Sequence, residues 1–219
     1  MDKLRLLFSK TGRAVYISHL DLMRTMTRAF LRAGMRLKYS EGFNPHPNIS
    51  IALPLSVGCE SNCEIMDFKL IEDRAPDEIL RLLSDQLPEG IEVIDVYEAQ
   101  RKVKELKWLR VGGRFEYDDR DIAAMTKSLN EFFSRGSIVI QKKTKRGVGE
   151  SDIKCAIKEL SFEEFGDVVY MRGLISAQEP TLNPELISDA LHQLAPEIAP
   201  DFAKFKRLEV FDESMEVFR

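Results

Sequence analysis

Apolar residues recur along the chain in two periods, and their alternation predicts a run of strands and helices. Leu4 to Phe8 is a short apolar run ending at the turn signal Thr11-Gly12, and it predicts a first strand. Ser18 stands where a helix N-cap belongs, with Asp21 three residues later as the acid of a capping box. The helix predicted from there stops near Gly34. Leu22, Met26, Ala29 and Ala33 share one of its faces, and Arg24, Arg28 and Arg32 form a ridge on the other. An extended stretch, Met35 to Ser40, and a turn-rich one, Glu41 to Pro47, come next. Strands follow over Ile49 to Leu55 and Glu64 to Leu70. Pro76 opens a second helix through Leu87, and Ile91 to Tyr97 alternates as a strand.

Strand, helix, strands, helix, strand is the ferredoxin-like βαββαβ order, with two helices on one face of an antiparallel sheet. The second half repeats it without a visible sequence repeat. A strand over Trp108 to Tyr117, broken at Gly112-Gly113, leads to a helix over Asp121 to Phe133. Strands over Ser137 to Gln141, Ile153 to Phe162 and Val168 to Ile175 follow, then a helix from Pro184 to Leu194 and a strand from Phe205 to Phe211. The expected fold class is α+β. Two tandem ferredoxin-like halves, residues 1–99 and 100–219, are expected to pack their antiparallel sheets together.

Composition narrows the class of protein. The chain has 219 residues and a formal net charge of -4, which argues against a histone-like or polybasic protein. No apolar run approaches the roughly 20 residues that span a bilayer, and from the polar start Met1-Asp2-Lys3 no signal peptide is expected. The odd cysteine count, 3, fits a reducing compartment, so no membrane association and a cytoplasmic location are expected. Charge is uneven, however. Residues 101–158 carry 15 basic against 8 acidic side chains inside an otherwise acidic chain. Such segregation suits a local polyanion-binding surface, or pairing between segments on folding.

Three segments carry candidate chemistry. In the first, the helix opening at Ser18-His19-Leu20-Asp21 offers free N–H groups and a positive helix end, with Lys10, Arg13 and Arg24 near in sequence. That combination suits a phosphate; as an ordinary capped helix, Ser18 and Asp21 would serve as caps alone. In the second, Ser40-Glu41-Gly42-Phe43-Asn44-Pro45-His46-Pro47, two prolines stiffen a loop in which Phe43 is suited to stack on a base. Asn44, His46 and, just beyond the second proline, Asn48 are suited to read hydrogen-bonding edges there. Otherwise Phe43 plugs the core. If the two segments share one end of the sheet, His19 and His46 face each other across one site. In the third, Lys142-Lys143-Thr144-Lys145-Arg146 precedes Gly147 and Gly149, a cationic hairpin arm suited to phosphates or a solvated charged loop. It lacks the residue order of a phosphate-binding loop of the Gly-x-x-x-x-Gly-Lys type. Cys59, Cys63 and Cys155 make too few ligands for a structural zinc, so neither a metal nor a cofactor is expected.

Tyr16-Ile17-Ser18-His19-Leu20-Asp21-Leu22-Met23-Arg24 and Tyr39 to Pro47, continuing through Ile49 to Leu55, resemble the bacterial radical-SAM-linked family, a domain of unknown function. The basic stretch ending at Asp152-Ile153 resembles its second-half motif. The likeness follows most of the chain in layout and is specific over residues 14–57. Members are fused to, or encoded beside, a radical-SAM protein, often near genes for ribonuclease E/G and a ribosomal protein. The resemblance therefore implies a separate radical-SAM partner, since this chain has no radical-SAM cysteine cluster. Together these features predict an RNA-binding accessory protein acting in RNA or ribosome-associated modification. The alternatives are a metal-independent endoribonuclease using His19 or His46 as general acid or base, and a protein-only adaptor.

Overall fold

Strand β1 (Leu4–Lys10) turns Leu6 and Phe8 to one side, and this alternation seeds the first core. The structure, a computed structural model, describes residues 3–144 and 147–219. The chain divides into two units, one running to Glu105 and counting Arg219 with it, the other spanning Leu106–Phe218.

In the first unit β1 is followed by α1 (His19–Arg32), β2 (Ile49–Ile51), β3 (Glu60–Phe68), α2 (Pro76–Ser84) and β4 (Ile91–Glu98). β1 lies between β3 and β4, antiparallel to both, and short β2 pairs with the end of β3. Leu6, Phe8, Met66 and Phe68 meet Leu22, Met26, Ala29 and Phe30 of α1 and Ile79 and Leu83 of α2 in one buried cluster. The Phe30 and Phe68 rings lie 4.9 Å apart. Burying a side chain of this size contributes about 1.5–3 kcal/mol, so this apolar stripe fixes how α1 lies on the sheet. Arg24, Arg28 and Arg32 face solvent, as the helical period requires. Gly34, at a φ of 70°, closes the helix where an L side chain would be strained.

The second unit runs β5 (Leu106–Glu116), α3 (Ile122–Phe133), β6 (Val139–Thr144), β7 (Gly147–Asp152), β8 (Ile157–Phe165), β9 (Val168–Ser176), α4 (Glu185–Leu194) and β10 (Phe202–Asp212). Its main sheet has the order β10-β5-β9-β8, antiparallel throughout. Phe133 of α3 stacks on Phe162 of β8 at 5.3 Å, and Phe115 of β5 touches Phe162 and Phe205, which marks the helix-covered face.

Two expectations change here. The strand predicted at Ser137 to Gln141 joins β7 in a separate two-stranded ribbon, not the main sheet. β5 is also unbroken at Gly112-Gly113. A Cβ at Gly112 would collide with the Tyr170 hydroxyl, and one at Gly113 would crowd Met171 and Phe205. The glycines are there for close side-chain approach, not for a turn. The protein is of the mixed α+β class with mostly antiparallel strands. No helix among the described residues is long and apolar enough to cross a membrane.

Candidate nucleic-acid interface

The start of α1 is closed upon itself. Ser18 Oγ accepts the Asp21 N–H at 3.2 Å and donates to the Asp21 carboxylate at 2.8 Å, while Arg24 pairs with the same carboxylate at 3.0 Å. The Ser18 hydroxyl and then the Arg24 guanidinium hold the Asp21 carboxyl below the usual carboxylate range. The positive helix end thus already faces an anion supplied by the chain. Lys10 departs further from expectation as a surface cation. It is buried, and its Nζ donates to the carbonyls of Val15 at 3.2 Å and Ile17 at 2.9 Å. It pins the segment that leads into α1. Arg13 is exposed and His19 half-buried.

The Ser40 to Pro47 loop has the opposite character. Ser40 donates its N–H to the His46 carbonyl at 2.8 Å, and His46 returns its N–H to the Ser40 hydroxyl at 3.0 Å. Tyr39 bridges Pro47, and Asn48 donates to the Lys38 carbonyl at 2.7 Å, so the base of the loop is locked. Gly42, at a φ of 121°, turns the tip. Phe43 then stands wholly exposed, 112% of its reference area, with Asn44 and His46 exposed beside it. The alternative in which Phe43 fills the core is excluded by this placement.

Beside the loop opens a pocket of about 370 Å³ lined by Lys3, Lys38, Asn48 and Lys69, with Asp67 and Phe68 behind. Asp67 is buried and spoken for. Lys3 meets it at 2.6 Å and Arg5 Nε at 2.7 Å. With Lys3 held on Asp67, Lys38 and Lys69 are the cations left to the concavity, a grouping that the sequence did not reveal because the three lysines lie more than thirty residues apart. Their convergence is legible only once Lys38 donates its N–H to the Lys69 carbonyl at 2.8 Å.

His19 and His46 do not meet. Lys10, at the end of β1 nearest α1's start, pairs with Ser61, whereas Ile49, just after the loop, pairs with Phe68 at the far end of β3. The two segments lie at opposite ends of α1, whose 14 residues rise about 21 Å. The loop precedes β2; the turn between β2 and β3, which does share the end with α1's start, is the Leu53 to Cys59 stretch, where Gly58 donates to Val15.

In the second unit β6 and β7 pair from Val139↔Asp152 to Thr144↔Gly147. Lys142 is partly exposed, and Lys143 lies on β6. Lys145 and Arg146 lie outside the described residues. The ribbon leans on α4, where Gln193 Oε1 accepts the Gln141 N–H at 2.8 Å and its Nε2 donates to the Gln141 carbonyl at 3.2 Å. Cys59 and Cys63 are buried, and Cys155 is exposed with its thiol directed to the Asp152 carbonyl. Among the described residues no three His, Cys, Asp or Glu side chains group to hold a metal ion.

A family model described as an uncharacterized protein conserved in bacteria (DUF2344) matches residues 3–184. The chain belongs to the DUF2344 family. Among solved structures, this DUF2344 chain is similar to one from the crystal structure of a Cbf5-Nop10-Gar1 complex, at 12% identity and a TM-score of 0.51. The match covers 96% of this chain but only 50% of that one, and at this identity the likeness is one of fold alone. The crystal structure of an unknown protein from Galdieria sulphuraria matches at 10% identity, covering 94% of this chain and 98% of the other, with a TM-score of 0.27 that carries no weight. No curated protein matches significantly.

Proposed function

We propose that this protein is a cytoplasmic RNA-binding accessory protein, working with a separate radical-SAM protein in RNA or ribosome-associated modification. The carrying observation is Phe43, held bare on a braced loop beside the pocket of Lys3, Lys38 and Lys69. An exposed ring on a stiff loop offers stacking area at little ordering cost, and Lys38 and Lys69 are placed to neutralise the phosphates of the same strand. Lys142 and Lys143 on the β6–β7 ribbon add a second cationic element. The radical-SAM partner is inferred from the resemblance of the Ser18-to-Asp21 and Ser40-to-Pro47 motifs alone. We further read both units as ferredoxin-like. β10-β5-β9-β8 follows the βαββαβ plan if the β6–β7 ribbon is taken as an insertion after α3, and β4-β1-β3 with β2 follows it directly.

The separation of His19 and His46 disfavours a nuclease that pairs them as acid and base. The test is retention of end-labelled rRNA fragments at two salt concentrations, with wild type, Phe43→Ala and a Lys38→Ala/Lys69→Ala variant side by side. Salt-sensitive retention of intact RNA, weakened in both variants, is the expected result. Discrete histidine-dependent products would replace this reading with an endoribonuclease. Absence of retention by folded wild type would leave the protein-only adaptor.

A further inference from the structure

We propose that the open face of the second unit's sheet is a binding platform for unpaired RNA bases. It shares the RNA ligand with the function proposed above but none of that site's residues. The face turned away from Phe115 and Phe162 is set by strand alternation. Register places Ser161 opposite Arg172, Arg172 opposite Gly112, and Gly112 opposite Lys206. The next row reads Glu163, Tyr170, Arg114 and Lys204, and the one beyond it Phe165, Val168, Glu116 and Phe202. Arg172, Arg114, Lys204 and Lys206 thus share this face with the rings of Tyr170, Phe165 and Phe202 and with Glu163 and Glu116, while Val168 is buried among them.

The rings are available. Phe165 is 73% and Phe202 50% exposed. Arg172 lies 5.8 Å from the Tyr170 ring centroid and Lys204 5.2 Å from that of Phe202. Tyr170, Arg172, Arg110 and Phe165 line a groove of about 750 Å³, and the Tyr170 hydroxyl sits where a Cβ on Gly112 would stand. Glu163 lies 3.8 Å from Arg172 and Glu116 3.2 Å from Arg114. Both are exposed ion pairs of small worth, so a phosphate can take the carboxylate's place at little cost. Aromatic rings and cations on the bare face of a four-stranded sheet match a single strand, whose bases stack and whose phosphates need neutralising. A duplex hides its base faces and does not fit. A protein interface depletes charged residues at its core, whereas this face carries charges throughout.

Trp108, the chain's one tryptophan, lies two residues from Arg110 on the same face of β5, so it reports on this surface. The test adds a short oligouridylate, or a duplex RNA of equal length, to the full chain. It follows Trp108 emission and filter retention in wild type, in a Phe165→Ala/Arg172→Ala variant of two exposed side chains, and in Phe43→Ala. The expected result is a saturable emission change with the oligouridylate only. Affinity in that phase should fall about tenfold in the double variant and persist in Phe43→Ala. Retention of oligouridylate without an emission change, equal affinity in the double variant, or equal response to the duplex would overturn the platform while leaving RNA binding by the first unit standing. Absence of any retention would overturn both. A copurifying protein that shields the face and leaves Trp108 insensitive to RNA would reassign it to a protein partner.

Discussion

Asp152 of β7 accepts the backbone N–H of Ile138 at 2.9 Å, and this bond closes the base of the β6–β7 ribbon. The same carboxylate takes the Ser137 hydroxyl at 2.7 Å and the Lys154 N–H at 2.9 Å. Ile153 returns its own N–H to the Ile138 carbonyl. The Ile138 amide, then the Ser137 hydroxyl, hold the Asp152 carboxyl below its usual range. A carboxyl lowered on folding stabilises fully above the unfolded value of about 3.9, and that stabilisation is lost as pH falls through the folded value. Protection of the Ile138 and Lys154 amides, taken against the intrinsic exchange rate at each pH, should therefore fall below about pH 4, and at neutral pH in Asp152→Ala, while that of α1 amides holds. Unchanged exchange in that variant at neutral pH would mean the clasp carries no weight.

Lys10→Met should destabilise the first unit by about 2–3 kcal/mol, because the Val15 and Ile17 carbonyls lose their donor. RNA affinity should not change. Burial pulls the Lys10 pKa down, and Glu64 and Cys59 oppose it less strongly. Between that lowered value and the ordinary one the unfolded chain binds the extra proton, so wild-type stability should rise with pH there. Urea unfolding across the alkaline range checks both points: the variant should lose the slope along with the stability.

Phe43→Ala should leave the unfolding midpoint within about 0.5 kcal/mol of wild type, since the ring buries nothing. Its cost should appear in RNA affinity, about 1–3 kcal/mol for one lost stacking partner. A fall in stability with no change in binding would assign the loop a structural role.

His19→Ala and His46→Ala should act independently on RNA affinity, their effects adding within about 0.5 kcal/mol, as expected of side chains without a shared partner. A larger coupling energy in the double variant would mean that one ligand contacts both ends of α1 at once.

Local structure was the most legible part of the sequence. Ser18 with Asp21, Gly34, Pro76 and Asp121 announce helix ends through side-chain chemistry that acts within three or four residues. Misreadings arose where distant residues decide. Gly112-Gly113 resembles a break until Tyr170, Met171 and Phe205 are seen to fill the space. Lys10 resembles a surface cation until the turn after β1 presents two carbonyls to it. The cationic pocket of Lys3, Lys38 and Lys69 and the aromatic face of the second sheet depend on register, which a sequence encodes only through pairing between strands. Alternation of Tyr170 with Arg172, and of Phe202 with Lys204, was the available signal for that face.

Gly112 has a consequence for how this surface can vary. The Tyr170 hydroxyl occupies the place a Cβ on Gly112 would take, so the seat of this phenol is governed by a single hydrogen where other residues carry carbon. An alanine there would force the phenol out of its seat while leaving the charges around it in place. One methyl group thus decides where an aromatic ring of this face stands, without touching any of its charges.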